Sequence, residues 1–514
     1  MANFSVVDLF AGIGGFHIAL ESEGGHCVGF SEIAKDAIDA YCTNFKVVKE
    51  DNLGDITKLK TLPTHDFMTA GVPCQSWSIA GKKMGFDDDR GQLWNDTLYL
   101  LNKTRPKAFI FENVKGLADP RNKKALDYIM ERIKEAGYFA HKYLLNAYDY
   151  GVPQTRVRIY IVGFKEKKYL DRFRIPAPQP GMVQLCDVLD NCFIKRNTED
   201  LENKARWSLS CNSQGFNDYF LFNDLRNGET TIHSWDIEQT TERQKYICYI
   251  LLGNRRKSKY GILDGNALAL KHFQEIDSTI SFEELEELVN IGILKHSPYF
   301  FEICEHSNDL TEEEEFLLSL HENNKLMVDK LKLCKDLKKR KIRIMNTLKQ
   351  LENKNVVRCT ELRYDFKNTK ISTGLNGINR IFLPSSKIYP TLVASDTNDF
   401  VSTEMIEATN IEDWKDEFLN KIFSTKNFRK ITKSEACRIQ GFPHDFILPD
   451  NRARWMHLIG NSVAVPVVKM LTKSIVETGV FADEDWNGRM PTYNETKIGR
   501  IKEIIEEPQL TFNF

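Results

Sequence analysis

Short apolar runs, separated by helix-length stretches of mixed polarity, dominate the first 165 or so residues. Val6-Val7-Asp8-Leu9-Phe10 predicts a strand that breaks at Ala11-Gly12-Ile13-Gly14-Gly15, and Ile18-Ala19-Leu20 predicts a helix behind it. Further strands are predicted at His26-Cys27-Val28-Gly29-Phe30, Asp66-Phe67-Met68-Thr69-Ala70, Ala108-Phe109-Ile110-Phe111 and Arg158-Ile159-Tyr160-Ile161-Val162-Gly163. Strands alternating with helices imply βαβ units and a largely parallel sheet, an α/β fold.

The rhythm stops at Ile175-Pro176-Ala177-Pro178-Gln179-Pro180-Gly181, where proline at alternate positions supports neither helix nor central strand. Residues 182–424 mix polar loops, helices and scattered strands. Two pieces share a helix, turn and strand pattern: one ends Asn290-Ile291-Gly292-Ile293-Leu294, the other Asn353-Lys354-Asn355-Val356-Val357. Winged-helix-like units and two helices on a small sheet would both produce it. Later, Ile431-Thr432-Lys433-Ser434-Glu435-Ala436 has the hydroxyl-then-acid order of a helix start. Gln440-Gly441-Phe442-Pro443 and Ile459-Gly460-Asn461-Ser462-Val463 follow, the second opening an apolar helical run. Four divisions are therefore expected: 1–175, 176–425, 426–480 returning to the first, and a peripheral extension over 481–514.

At 514 residues the chain exceeds one ordinary core, and 42% hydrophobic with 28% charged residues is ordinary globular composition. Neither a membrane-length apolar stretch nor a secretory leader is recognised, so a cytoplasmic location without membrane attachment is expected. Eleven cysteines stand singly, with no CxxC and no zinc spacing, which predicts free thiols and no metal site. Net charge is −2, but residues 325–349 carry ten Lys/Arg against Asp329 and Asp336. Such a run is either a solvated helix face or a phosphate contact.

Candidate chemistry sits at strand ends. Pro73-Cys74-Gln75 and Glu112-Asn113-Val114 each follow a predicted strand, on the edge where open α/β sheets place ligands. A thiolate beside a proton-donating carboxyl can attack an aromatic base, given a lowered thiol pKa and a carboxyl raised by burial. The glycine turn after the first strand permits close approach of a ligand, and Glu32, about twenty residues on, is placed for ribose hydroxyls. Asp55 is a third polar group on a strand-end loop. Arg156 and Arg158, two apart in an extended segment, share a face suited to a base carbonyl and a phosphate. No GxxxxGK[ST] phosphate loop is present.

In this order the motifs resemble the cytosine-C5 DNA methyltransferase family of bacterial or phage type, restriction-modification or solitary. They run from Asp8-Leu9-Phe10-Ala11-Gly12-Ile13-Gly14-Gly15 through the Glu32, Asp55, Cys74 and Glu112 segments. Tyr150-Gly151-Val152-Pro153-Gln154-Thr155-Arg156-Val157-Arg158, Gln440-Gly441-Phe442-Pro443 and Gly460-Asn461-Ser462-Val463 complete the series. The resemblance covers residues 4–165 and 428–475. It implies a Rossmann-like S-adenosylmethionine-dependent methyltransferase sheet and a second, long target-recognition domain of mixed α+β.

The roles it implies are specific. Cys74 attacks C6 of a flipped-out cytosine, Glu112 holds or protonates N3, Arg158 binds O2, and Arg156 supports the site and a nearby phosphate. Phe10, Gly12, Ile13, Gly14, Glu32, Ile33, Asp55, Ile56, Pro73, Asn461 and Val463 line the S-adenosyl-L-methionine pocket. Gln75, Ser76, Ser78 and Arg90 contact DNA from a loop over residues 76–91 that closes on it. Arg363, Asn376, Asn379 and Arg380 are candidates to read base edges, and Ile388-Tyr389-Pro390-Thr391-Leu392-Val393-Ala394 resembles the end of family recognition domains. The implied partner is double-stranded DNA, acted on by a monomer, with a cognate restriction endonuclease sharing the site without a stable complex. A tRNA substrate and a noncatalytic DNA-binding relative are the alternatives. The long interval argues against the first and the intact Cys74, Glu112, Arg156 and Arg158 against the second.

Overall fold

The N-terminal apolar runs become neighbouring strands of one sheet in the computed structural model, which describes residues 3–73, 93–192, 231–238, 240–263, 265–304, 309–367, 375–408 and 410–482. The chain forms two compact units: Met1–Leu209 with Pro384–Thr397 and Lys430–Phe514, and Ser210–Leu383 with Asn398–Arg429.

The first unit is built on strands β1 (Phe4–Leu9), β2 (Gly25–Ser31), β3 (Phe67–Gly71), β4 (Ala108–Val114), β5 (Phe139–Asn146), β6 (Gln154–Thr155) and β7 (Val157–Phe164). Six of them form a sheet of order β2-β1-β3-β4-β7-β5. Strands β1 to β4 pair in parallel, as expected, whereas β7 runs antiparallel to both β4 and β5. Residues 147–156 between β5 and β7 are too few for a helical crossover, so the chain returns beside itself. One face packs Val7, Met68, Phe109 and Phe111 against Trp94, Leu98 and Leu101 of helix Leu93–Thr104 and Ile129 and Ile133 of helix Lys123–Glu135. Burial of these side chains stabilises the sheet by roughly 1.5–3 kcal/mol each before entropy is subtracted.

The C-terminal segment completes this unit. Helix Lys433–Gln440 opens on a capping box, in which Thr432 Oγ1 accepts from Glu435 N at 3.1 Å and the Glu435 carboxylate accepts from Thr432 N at 2.7 Å. Helix Val465–Glu477 lies against helix Gly15–Glu21. One stretch, Arg452–Glu477, has the length and apolar content of a membrane span, yet it is mostly buried and breaks between Asn461 and Val465. It is a core element of the unit.

Residues 384–397 also belong here, although the sequence suggested the recognition part. Tyr389–Pro390 pairs in parallel with β6, and Leu392 N donates to Gln154 Oε1 at 3.0 Å. Backbone pairing to β6 outweighs continuity with the preceding loop.

The second unit centres on β8 (Leu294–Ile303), β9 (Lys325–Met327) and β10 (Val357–Phe366), an antiparallel sheet of order β10-β8-β9. Helix Phe282–Ile291 leads into β8 and helix Ile344–Asn353 into β10. Two of the four candidate base readers are committed to this unit's interior. Arg363 is buried, donates to Tyr260 O at 2.5 Å, pairs with Glu361 at 2.6 Å and lies over the Tyr299 ring. Arg380 grips Asp399 through two bonds of 2.7 and 2.9 Å. Asn379 has its side-chain oxygen buried, whereas Asn376 is exposed in a left-handed turn.

Candidate active site

The C-terminal ends of β1 to β4 open into a cavity of about 410 Å³. Its floor begins with the turn after β1. Phe10 and Gly12 both take left-handed backbone, φ 53° and 57°. For Gly12 this is unstrained, and a side chain there would point into open space, which leaves room for a ligand to approach the backbone. For Phe10 the conformation is strained, a feature that concentrates at ligand sites.

Glu32, at the end of β2, braces that turn. One carboxylate oxygen accepts from Gly12 N at 2.8 Å and the other from Ile33 N and Ala34 N, both at 2.8 Å. A carboxylate offers about four acceptor sites, so capacity remains for a ligand hydroxyl. Ile33 beside it is 74% exposed, an apolar side chain left uncovered at the rim. Asp55 accepts from Thr57 N at 3.0 Å, and the short turn it caps carries Ile56 into the lining.

At the other end stands Glu112. Its register partner on β3 is Gly71, so the chain leaving β3 through Val72 and Pro73 exits beside this carboxyl. Asn113 Nδ2 fixes that exit by donating to Val72 O at 3.1 Å. Arg158, opposite Val114 on β7, brings Nε to 3.1 Å from Glu112 Oε1. Burial raises the Glu112 pKa above the usual carboxylate value, against the opposing pull of Arg158 and then Arg156. The direction of that shift favours the protonated form, the form that can donate to a bound base. Cys74, Gln75, Ser76, Ser78 and Arg90 lie outside the described residues.

Arg156 has the supporting position expected of it. It is buried, and its guanidinium donates to Leu392 O at 2.9 Å, Gly460 O at 3.0 Å and Ser462 O at 2.7 Å. Three carbonyls claim the fork, although the side chain also borders the cavity. Gln154 continues the network to Ile439 O and to the Gln440 side chain, at 3.0 and 2.7 Å. Arg156 is therefore a strut that ties the C-terminal motifs to the wall behind Glu112.

Of the expected cofactor residues, Phe10, Gly12, Glu32, Ile33, Asp55, Ile56, Pro73 and Asn461 line the cavity. Ile13, Gly14 and Val463 do not. Ile13 is buried, Gly14 caps a helix where a side chain would collide with the Phe45 ring, and Val463 packs over Gly15. These three hold the turn from behind. Ser31, Gly71, Val72, Leu93, Val114, His457 and Gly460 line the cavity without having been anticipated. Only His457 carried a readable signal, standing one helical turn before Asn461; its Nε2 lies 3.3 Å from Asn461 Nδ2.

Asp8 lies beneath the site. Thr69 Oγ1 donates to it at 2.8 Å, its second oxygen is buried without a partner, and burial pushes its carboxyl up to about 7. Below about pH 4 both folded and unfolded chains carry the proton. Between about 4 and 7 only the folded chain holds it, so stability falls as pH rises, by on the order of 4 kcal/mol in total. Asp8→Asn keeps the shape and removes the ionisation. Its melting temperature should exceed that of the native chain at pH 8 and match it near pH 4; equal curves at both pH values would contradict the assignment.

A cavity with an acid-braced glycine turn at one end and a buried carboxyl at the other thus stands at the strand ends of an α/β sheet. The sequence profile of the C-5 cytosine-specific DNA methylases matches residues 4–477, and the chain belongs to that family. The Type II methyltransferase M.HgiBI of Herpetosiphon aurantiacus is 38% identical over 94% of this chain and 99% of its own. M.BanI of Aneurinibacillus aneurinilyticus is 29% identical over 92% and 96%. M.HhaI of Haemophilus parahaemolyticus reaches 43%, but over 34% of this chain and 52% of its own. The enzyme is a DNA (cytosine-5-)-methyltransferase.

Proposed function

We propose that the cavity holds S-adenosyl-L-methionine at its Glu32 end and the target cytosine at its Glu112 end, and that Cys74 is the nucleophile. The observation carrying this is one continuous cavity lined by both Glu32 and the Glu112–Arg158 pair. The donor set suits the cofactor: Glu32 and Asp55 accept from hydroxyl and amino groups, and Phe10 and Ile33 offer apolar surface to a planar base. When bound, the cofactor supplies an electrophilic methyl carbon.

The remaining chemistry belongs to the chain and its substrate. The Cys74 thiolate adds to C6, and Glu112 delivers a proton to N3, so that electron density builds at C5 instead of on the ring nitrogen. C5 takes the methyl group, a base removes the C5 proton, the C6–S bond breaks to return the thiolate, and N3 gives its proton back to Glu112. Arg158 holds O2 and steadies the Glu112 carboxyl. A cytosine must leave the duplex stack to be attacked from its face.

We assign the second unit to target recognition, the enzyme to the modification half of a Type II restriction-modification pair, and its work to a cytoplasmic monomer. A nuclease reading the same site needs no stable complex with it. Duplex DNA is the substrate favoured over tRNA, because the second unit takes up the 174 residues of Ser210–Leu383 and the 32 of Asn398–Arg429 before the closing motifs return. Bisulfite sequencing of DNA from expressing cells should reveal 5-methylcytosine in one sequence context. Its absence with folded, cofactor-competent protein, or preferential labelling of tRNA, would overturn the assignment.

Glu112→Gln should lower kcat by about 10²–10⁴-fold. The sign of the pH effect follows from burial: the folded carboxyl keeps its proton above the ordinary range, and raising pH removes it. The native kcat should therefore decline on its alkaline side, and that limb should vanish in the variant. An unchanged alkaline limb would remove Glu112 from proton delivery.

A further inference from the structure

The second unit contains the same structure twice. Helices Glu242–Asn254 and Glu312–Leu318 each start on a threonine capping box, at Thr241 and Thr311. Each leads to a short extended segment paired to the eighth residue of a long strand: Leu268 to Tyr364 of β10, and Leu326 of β9 to Phe301 of β8. Helices Leu270–Gln274 and Val328–Leu333 come next, the second half adding a further short helix, Lys335–Lys339; then come the ten-residue helices Phe282–Ile291 and Ile344–Asn353, then β8 and β10. Leu285, Leu288, Ile293 and Leu294 fill one core, and residues 63 positions later, Leu348, Leu351, Val356 and Val357, fill the other. The two halves share one antiparallel ladder, Leu294 facing Phe366 and Val357 facing Ile303.

Each half thus carries a helix–turn–helix against a sheet. In that motif the second helix enters the DNA major groove and the first crosses the backbone. The two second helices have opposite chemistry. Phe282–Ile291 carries four glutamates, three of them bonded within the unit: Glu284 with Arg243 at 2.8 Å, Glu286 with the Tyr364 hydroxyl at 2.8 Å and Glu287 with Gln244 at 3.5 Å. Glu283 and Glu287 remain at its surface and would repel phosphate. Ile344–Asn353 instead exposes Asn346, Lys349, Gln350 and Asn353 on one side, with no acid among them.

The turn before it is basic. Lys335, Lys338, Lys341 and Arg343 are exposed and lack an ion-pair partner among the described residues. The charge run of residues 325–349 is therefore only partly neutralised from within: Lys330 pairs with Glu322, Lys332 with Asp329 and Lys339 with Asp336.

We propose that helix Ile344–Asn353 is the base-reading element for duplex DNA, with the Lys335–Arg343 turn on phosphates, and that its acidic counterpart Phe282–Ile291 has lost DNA contact and serves as scaffold. This rests on the assignment of the second unit to target recognition. Amide side chains suit adenine edges and Lys or Arg suits guanine.

The test uses the full chain and a random duplex pool, from which bound sequences are selected, so that it does not depend on turnover. Asn346→Ala with Gln350→Ala should weaken binding to the selected sequence about 10-fold or more and relax the preference at one or two positions. Lys341→Gln with Arg343→Gln should weaken selected and unrelated duplexes alike and reduce the slope of log affinity against log salt by about two. Glu287→Gln with Asn290→Ala, on the acidic helix, should change neither. All these side chains are exposed, and unchanged melting curves would confirm intact folding. If the first pair binds and selects as the native chain does, the helix assignment fails while the recognition role of the unit stands. If no sequence is selected at all and binding ignores every variant, both fail.

Discussion

Cys74→Ser should reduce methyl transfer by about 10⁴-fold or more while leaving affinity for duplex DNA within a few-fold of native. The reason is the difference between a thiol and a hydroxyl. A thiol near pKa 8.5 needs only a modest shift to ionise at neutral pH, whereas a serine hydroxyl needs a strong base. Pro73 is part of the cavity wall, and Gly71 pairs with Glu112, so Cys74 follows directly on the segment that passes the proton donor. Single-turnover kinetics with saturating cofactor isolates the chemical step. A variant retaining a tenth of native activity would take the nucleophile role away from Cys74.

Arg156→Met should have the largest effect on stability. The side chain is buried, and its guanidinium satisfies carbonyls of Leu392, Gly460 and Ser462, which are 236 to 306 positions away in sequence. Methionine preserves much of the volume but removes a donor from each carbonyl, Ser462 O keeping its bond from Gln440 Nε2 at 2.8 Å, at about 1–3 kcal/mol for each buried group left unpaired and with incomplete additivity. A loss of about 3–5 kcal/mol is expected, equivalent to roughly 5–15 °C in melting temperature. Arg158→Ala provides the contrast. Its head group serves Glu112 and Val157 O, so melting should change little while turnover falls sharply. Similar melting for both variants would contradict the division of labour between strut and site.

That division could not be read from the chain. Arg156 and Arg158 stand two apart in one motif, and extended geometry suggested a shared face and shared work. What separates them is a ring of backbone carbonyls brought in by Leu392, Gly460 and Ser462, and sequence alone cannot reveal which carbonyls converge. Strands β1, β3, β4 and β7 were legible because they lie inside the sheet and read as apolar runs, and the edge strand β2 because its second half is buried. Strand β5 was not, since it is the sheet edge and exposes Phe139, His141 and Lys142. Ile13, Gly14 and Val463 share motifs with cavity residues, yet their side-chain positions face the core. Motif membership marks a segment, and burial decides which of its residues meets a ligand. Within the second unit, the 63-residue spacing of leucines was visible as a loose helix-turn-strand likeness, while the shared β8–β10 ladder that makes it a duplication was not.

A trapped intermediate tests most directly whether Cys74 attacks C6 of cytosine beside Glu112. Duplex DNA carrying 5-fluorocytosine at the methylated position, incubated with enzyme and S-adenosyl-L-methionine, cannot release its C5 substituent as a proton. A denaturant-stable protein–DNA adduct is expected, and mass spectrometry should place it on the peptide containing Cys74. Binding without an adduct, or an adduct on another residue, would contradict the mechanism.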